Sequence, residues 1–285
     1  MDGEEKSGIL FIDKPVGMTS RQVDNHIGRL FHTHHIGHLG TLDPFASGML
    51  VVFVNKANKA IPYVKDEEKT YVALLRLGKR SSTGDKDGTI EEMGTRTSFE
   101  KKEIENVFSS FRGDQEQVPP MTSAIKIDGE ALYKKAHRGE EIERKPRKIH
   151  IFSLDLLFIN EDTICFKTKV SKGTYIRTLG EDIAKVLGTY GYLEELRRIE
   201  IGDFKEDRLI PLDEVKEDSQ LVNPLETIDL KRVYIDENCC NDAKNGKRLS
   251  FHVNEDKILL VYENEAIAVY ERERGNTYRS VRGLF

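Results

Sequence analysis

Several common functional classes are excluded by what this chain lacks. Its 285 residues include three cysteines, Cys165, Cys239 and Cys240. Their spacing fits neither a disulfide framework nor a zinc knuckle, so reduced thiols are expected. The longest apolar runs, such as MLVVFV at Met49 to Val54, fall far short of the ~20 residues a membrane helix needs. The opening MDGEEKSG is acidic and lacks the basic-then-apolar order of a secretory signal. Together these absences predict a soluble, cytoplasmic protein with no membrane partner. A net positive charge is also lacking. The 44 Lys and Arg are outnumbered by 49 Asp and Glu, a formal net charge of −5, which argues mildly against non-specific nucleic-acid affinity, because Lys and Arg drive phosphate binding. One segment runs the other way: Pro119 to Lys148 carries eight Lys or Arg against five acids, a local basic balance that could meet an anionic partner.

No phosphate-binding loop or dinucleotide fingerprint is present, so no nucleotide cofactor is expected. The length allows one large core and a second, smaller domain. GILFIDKP reads as a strand ending in a Lys-Pro turn. Thr19 with Gln22 forms a capping-box pattern, and Val23, Ile27, Leu30 and Phe31 then recur at helical spacing, predicting a helix that ends near Phe31. Residues 32–48, broken by Gly37, Gly40, Pro44 and Gly48, read as a loop. MLVVFVN and TYVALLRLG follow as strands. SSTGDKDGT reads as a polar turn whose acids lack the later ligands of a calcium loop. Ile104, Val107, Phe108 and Phe111 mark an amphipathic helix, and a short helical pattern surrounds Leu132 to His137. Strands near 149–158 and 163–171 precede a helix with Ile176, Leu179, Ile183 and Leu187 on one face. From Leu230 short strands take over, with a hairpin turning at Asn264. Strands and helices in no regular alternation predict an α+β fold.

Four of the eight histidines fall in HTHHIGH, His32 to His38. They approach the H-x-H-x-D-H order of binuclear metallohydrolases, but Ile36 and Gly37 stand where the acid and last histidine belong. Only Asp43 is near enough in sequence to complete a four-ligand zinc site. No metal site is expected; the histidines read as polar loop residues or RNA-facing donors. The alternative is a loop built around one carboxylate. An aspartate nucleophile must stay ionised while water is excluded. Burial alone raises its pKa by up to ~3 to 5 units, whereas a nearby cation lowers it by ~1 to 3. Partial burial beside an arginine reconciles the two. Leu42, Pro44 and Phe45 could supply dry walls, and Arg177 in KGTYIRTL is the candidate cation.

Taken in order, DKPVGMTS (13–20), GHLGTLDPFASGML (37–50), KTY (69–71), GTYIR (173–177) and LRR (196–198) form a set that resembles the TruB-type tRNA pseudouridine synthases. VPPMTSAIKIDGEALYKKAHRGE (118–140) is similar to that family's RNA-gripping insertion, and NGKRL (245–249) fits a short C-terminal PUA-like domain. The resemblance covers nearly the whole chain. It implies a pseudouridine synthase fold: a central mixed, largely antiparallel sheet flanked by helices. It also implies a catalytic domain over 1–225, an RNA-gripping insertion at 118–148 and a β-rich PUA-like module over 226–285.

The implied activity is conversion of uridine to pseudouridine at position 55 in the T-loop of transfer RNA, with no cofactor, no metal and no obligatory protein partner, by a monomer. Carried over by motif, Asp43 is the nucleophile, Tyr71 the aromatic that stacks on the flipped-out base, and Arg177 the carboxylate's ion-pair partner. Leu196 lines the pocket and His38 fills the gap left by flipped bases. Tyr175, Lys126 and Arg198 join the expected RNA-binding set. Lys14, with Pro15, reads more as support than chemistry. Thr122 departs from the family pattern, which has a tyrosine there, and the C-terminal module is shorter than many PUA domains. The competing readings are a non-catalytic RNA-binding or chaperone module, a metal-dependent hydrolase, and a guide-RNA-dependent synthase.

Overall fold

The computed structural model describes residues 6–123, 126–127, 130–131, 138 and 142–285. The helical pattern expected at Leu132 to His137 lies outside the described residues. The chain divides into two compact units: residues 1–43, 50–66 and 208–285 form one, and 44–49 with 67–207 the other.

In the first unit, the strand Gly8–Lys14 is buried along almost its whole length and runs parallel to Ile210–Pro211. The helix Ser20–Leu30 begins with the expected capping box. The Gln22 amide donates to Thr19 Oγ1 at 3.1 Å, and the Thr19 amide donates to Gln22 Oε1 at 2.8 Å. Two otherwise orphaned donors are thereby satisfied. Val23 and Ile27, with Phe31 just past the helix, pack on Leu10, Ile12, Leu50, Val52, Val54, Leu212 and Val215. The helix stops where His32 turns to φ 51°, a left-handed conformation that ends helical hydrogen bonding.

Residues 32–48 are not all loop. Ile36–Leu39 is a strand, paired antiparallel with Val51 to Val54. Its sequence, IGHL, is too short and too mixed to show alternation, and its pairing supplies the order instead.

The remaining part of this unit is the five-stranded sheet with the order Lys231–Tyr234, Lys257–Tyr262, Glu265–Arg274, Thr277–Gly283, Leu249–Ser250. Along ILLV, Leu259 and Val261 face one apolar cluster with Leu225, Ile228 and Val269. Ile258 and Leu260 face another with Cys240, Ala243, Tyr270 and Tyr278. The hairpin turns where expected: Glu263 and Asn264 sit at φ 47° and 64°, the pair of positive values a two-residue type I′ turn requires. A helix, Glu237–Lys244, interrupts the expected run of strands. Asp236 caps it by accepting from the Cys239 amide, and only Cys240 and Ala243 are buried, so its sequence shows little apolar periodicity.

The second unit is an antiparallel sheet in the order Gly191–Ile201, Glu68–Leu77, Thr163–Ser171, Arg147–Asn160, Gly113–Gln117. Ser47–Gly48 joins its first strand in parallel, opposite Arg197–Arg198. That approach demands glycine: Gly48 has φ +97°, and a Cβ there would lie 2.2 Å from the Arg198 carbonyl oxygen. Among the described residues, two helices cover this sheet. Lys101–Phe111 buries Ile104 and Phe108, the latter edge-on to Phe166 at 5.8 Å. Ile176–Val186 buries Ile176, Leu179 and Ile183 and packs Gly180 against Leu75 and Leu193. Antiparallel sheets with helices in no βαβ repeat make this an α+β fold. Among the described residues, no helix is long and apolar enough to cross a membrane.

Candidate active site and RNA-facing residues

In the first unit, Asp43 is half-buried just after Leu42, which is 4 % exposed. Its position is set from the helix start. The buried Ser20 hydroxyl donates to the Leu42 carbonyl at 3.1 Å and accepts from the Leu42 amide at 2.9 Å. A two-way clamp of this kind holds both backbone groups of the residue preceding the carboxylate, and it serves buried groups that would otherwise be unpaired.

The four histidines diverge. His32 Nε2 approaches Glu217 at 3.7 Å on the surface. His34 and His35 are exposed. His38, on the strand Ile36–Leu39, turns its Nδ1 to Asp24 Oδ2 at 2.8 Å and its Nε2 to Thr41 Oγ1 at 3.2 Å. Lys14 is fully buried, donating to the carbonyls of Met18 at 2.6 Å and Pro15 at 2.8 Å; those bonds tie the DKPVGM turn together.

In the second unit, Tyr71, Leu196 and Arg198 share one sheet face. Tyr71 lies opposite Arg198, and Leu196 lies opposite Ala73, two residues along the Tyr71 strand. All three are buried, at 7 %, 6 % and 1 % exposure. Arg198 Nε donates to the Met49 carbonyl at 2.9 Å.

The helix that carries Arg177 packs on this same face through Gly180 and Leu75. Its start is held by Gln117. Gln117 Nε2 donates to the Tyr175 carbonyl at 3.0 Å, and its Oε1 accepts from the Tyr175 backbone amide at 2.8 Å. Tyr175 itself is half-buried at the cap. Arg177 donates to the Thr83 carbonyl at 3.0 Å, Thr122 Oγ1 at 2.5 Å and the Thr122 carbonyl at 3.1 Å, and its Nη1 lies 3.3 Å from Asp85 Oδ2. Thr122, where the family pattern has a tyrosine, therefore serves the guanidinium through both backbone and hydroxyl. Lys126 belongs to the short strand Lys126–Ile127, paired with Glu130–Ala131; its side chain lies outside the described residues.

In the sequence Asp85 belongs to a polar turn. The structure makes it a partner of Arg177. Thr83 Oγ1 donates to Asp85 Oδ1 at 2.6 Å and the Asp87 amide donates to the same oxygen at 3.1 Å, while the Ser81 hydroxyl donates to the Asp85 carbonyl at 2.5 Å. The run of Ser and Thr around one acid in SSTGD was the available signal, since such residues bond local carboxylates. Further along the Arg177 helix, burial pushes the Asp182 carboxyl above the usual carboxylate range, partly offset by Lys185.

Comparison with known proteins decides the family. Residues 28–176 match the model of the TruB family pseudouridylate synthase N-terminal domain, and 177–233 match the tRNA pseudouridylate synthase B C-terminal domain. The chain belongs to the TruB family. A relative from Clostridium acetobutylicum named tRNA pseudouridine synthase B is 38 % identical over 275 residues, covering 94 % of this chain and 92 % of that protein. One of the same name from Psychrobacter arcticus is 42 % identical over 211 residues, covering 72 % of this chain. The chain spans 56 % of the length of that Psychrobacter protein and 59 % of its Psychrobacter cryohalolentis counterpart.

A chain of the crystallised Cbf5-Nop10-Gar1 complex superposes with TM-score 0.72 at 24 % identity, covering 98 % of this chain and 85 % of that one. A structure of an H/ACA RNP bound to a substrate RNA containing 2′-deoxyuridine gives 0.68 at 22 %, with 98 % and 85 % covered. These likenesses place the TruB chain in the pseudouridine synthase fold, with a small β-rich PUA-like module at its C-terminal end.

Proposed function

We propose that this chain converts uridine to pseudouridine at position 55 in the T-loop of transfer RNA. The observation that carries the reading is the 38 % identity sustained over 275 residues with a protein named tRNA pseudouridine synthase B. The geometry within each unit supports it. The reaction breaks the bond between N1 and the ribose C1′ and forms one between C5 and C1′. A proton leaves C5 and N1 gains one, so no oxidant or external group is needed.

Asp43 is assigned the role of nucleophile, and the Ser20 clamp on Leu42 supports a fixed presentation of that carboxylate. Extruding a base from a folded loop costs a few kcal/mol. Stacking on Tyr71 returns about 1 to 3 kcal/mol, with the buried Leu196 excluding competing water. Arg177 gives the carboxylate its electrostatic support, and Tyr175, Lys126, Arg198 and His38 serve the RNA, with Lys14 bracing the loop. The catalytic domain is assigned to 1–225, with the RNA-gripping insertion at 118–148, and the PUA-like module to 226–285. The enzyme acts as a cytoplasmic monomer on the T-stem-loop, with no protein partner and no cofactor.

Tritium release from 5-labelled uridine in a naked T-stem-loop RNA tests the assignment. Wild type should release tritium without any guide RNA. Asp43→Asn should bind the RNA with unchanged affinity and lose turnover by about 10³-fold or more, beyond what a positioning loss removes. Substantial residual activity in Asp43→Asn would remove the nucleophile role, and no wild-type release would sink the reading as a whole.

A further inference from the structure

Asp24 stands where an apolar residue belongs. It lies on the inward face of the helix Ser20–Leu30 beside Val23, Ile27 and Gly28 and is 3 % exposed. A carboxylate in such a place carries a large desolvation cost unless it is paired. Its pairing is incomplete: Oδ2 meets His38 Nδ1 at 2.8 Å and the exposed Arg21 guanidinium only at 3.8 Å, and Oδ1 has no hydrogen-bond partner among the described residues. A buried acceptor left unpaired lowers stability, so stability alone would favour an apolar side chain here. Asp24 is better explained by what it does to His38.

The strand fixes the direction of that imidazole. His38 pairs with Val52 in the antiparallel register. The next residue back, Gly37, faces Asn58 and Ile61 closely enough that a Cβ would lie 2.3 Å from Asn58 Oδ1. Alternation then sends the His38 side chain the other way, to the helix. An ionised carboxylate accepts and cannot donate, so the Asp24 contact keeps the proton on Nδ1 and selects that tautomer. Nε2 is left at the outer end of the ring, 3.2 Å from the hydroxyl of the exposed Thr41. Arg21, Asn25, Arg29, His32 and His34 line an adjoining cleft of about 660 Å³ that Asp24 also borders; Arg21 and Arg29 are cations there that suit RNA phosphates.

We propose that Asp24 is a positioning residue: it holds the His38 ring with Nδ1–H inward and Nε2 outward, so that a fixed hydrogen-bonding nitrogen faces the RNA. This rests on the function proposed above. Positioning an RNA contact affects KM more than kcat.

The test compares Asp24→Leu, which removes the acceptor, with Asp24→Asn, whose side-chain carbonyl can still accept from Nδ1. Kinetics are measured on the T-stem-loop RNA by tritium release, and the His38 tautomer is read by ¹⁵N NMR of the full chain. Asp24→Leu should raise KM about tenfold, the size of one lost hydrogen bond, with kcat within about twofold. Asp24→Asn should stay within about threefold of wild type. In a His38→Ala background Asp24→Leu should add nothing, and in wild-type background it should move the His38 ring nitrogens away from the pure Nδ1–H form.

Should Asp24→Leu fail to fold, Asp24→Ser, too short to reach Nδ1, carries the same expectation. An unchanged KM with an unchanged tautomer overturns the proposal, as does an equal KM rise in the His38→Ala background. If wild type releases no tritium, the proposed function fails, while the NMR comparison still decides the Asp24 to His38 coupling by itself.

Discussion

Each unit of the molecule buries a carboxylate against a nitrogen-bearing side chain, Asp24 in the first and Asp85 in the second, and the two are built differently. Asp85 in the second unit is saturated: Thr83 and the Asp87 amide occupy Oδ1, and Arg177 approaches Oδ2 with both partners under a tenth exposed. Asp24 in the first unit is half satisfied, with His38 on one oxygen and no hydrogen bond on the other among the described residues. A saturated pair in a low-dielectric setting acts as scaffold, because moving any member strands the rest. An under-satisfied one costs stability and is retained only where something else depends on its orientation.

The sharpest way to break this comparison is to open the saturated pair. Arg177→Met leaves Asp85 buried beside its own turn without a counter-charge and should destabilise the protein by about 3 to 5 kcal/mol. The matched change Asp85→Asn retains an acceptor for Arg177 and Thr83 and should cost about half as much. Urea denaturation measures both. If Arg177→Met cost no more than Asp24→Leu, the distinction between a scaffold pair and an orienting pair would fall.

Neither pair could be read from the sequence, for physical reasons. The capping box at Thr19 and Gln22, the alternation in TYVALLRLG and the hairpin at Asn264 are local: partners lie within a few residues, so spacing alone reveals them. The strand Gly191–Ile201 escapes such reading because EELRRIE is charged and its register slips between Leu193 and Glu195, breaking the alternation. Asp24 and His38 are separated by fourteen positions, and Arg177 is further still from Asp85. Only helix phase and strand register bring them together. Asp43, Tyr71 and Arg177 were legible as members of an ordered motif set, not through any contact that their spacing implied.

A second, smaller perturbation sharpens the first unit's side. Ser20→Ala removes the hydroxyl that serves both backbone groups of Leu42. Leaving that buried pair unserved should cost about 1 to 3 kcal/mol. The loss of turnover should exceed the rise in KM, because the displaced residue adjoins Asp43, the proposed nucleophile, and not His38, the proposed RNA contact. Steady-state kinetics on the T-stem-loop read both; a pure KM effect would assign Ser20 to the same device as Asp24 and erase the division of labour within the unit.

The smallest effect expected belongs to the second unit and concerns pH. Asp182 has its carboxyl raised by burial, with Lys185 pulling it partly back. Glu181 is raised by desolvation first and by the Asp182 charge second. A carboxyl whose folded pKa exceeds its unfolded value binds protons more tightly when folded. Its contribution therefore favours folding at acid pH and is lost as pH rises from the unfolded value through the folded one. Asp182→Asn removes that loss and also relieves Glu181. The variant should match wild type in the acid range and exceed it by about 0.5 kcal/mol at pH 8, seen as a urea midpoint that diverges as pH increases. Parallel curves would mean that water reaches Asp182 freely, and this helix would then lack the dry packing that holds Arg177 against Asp85.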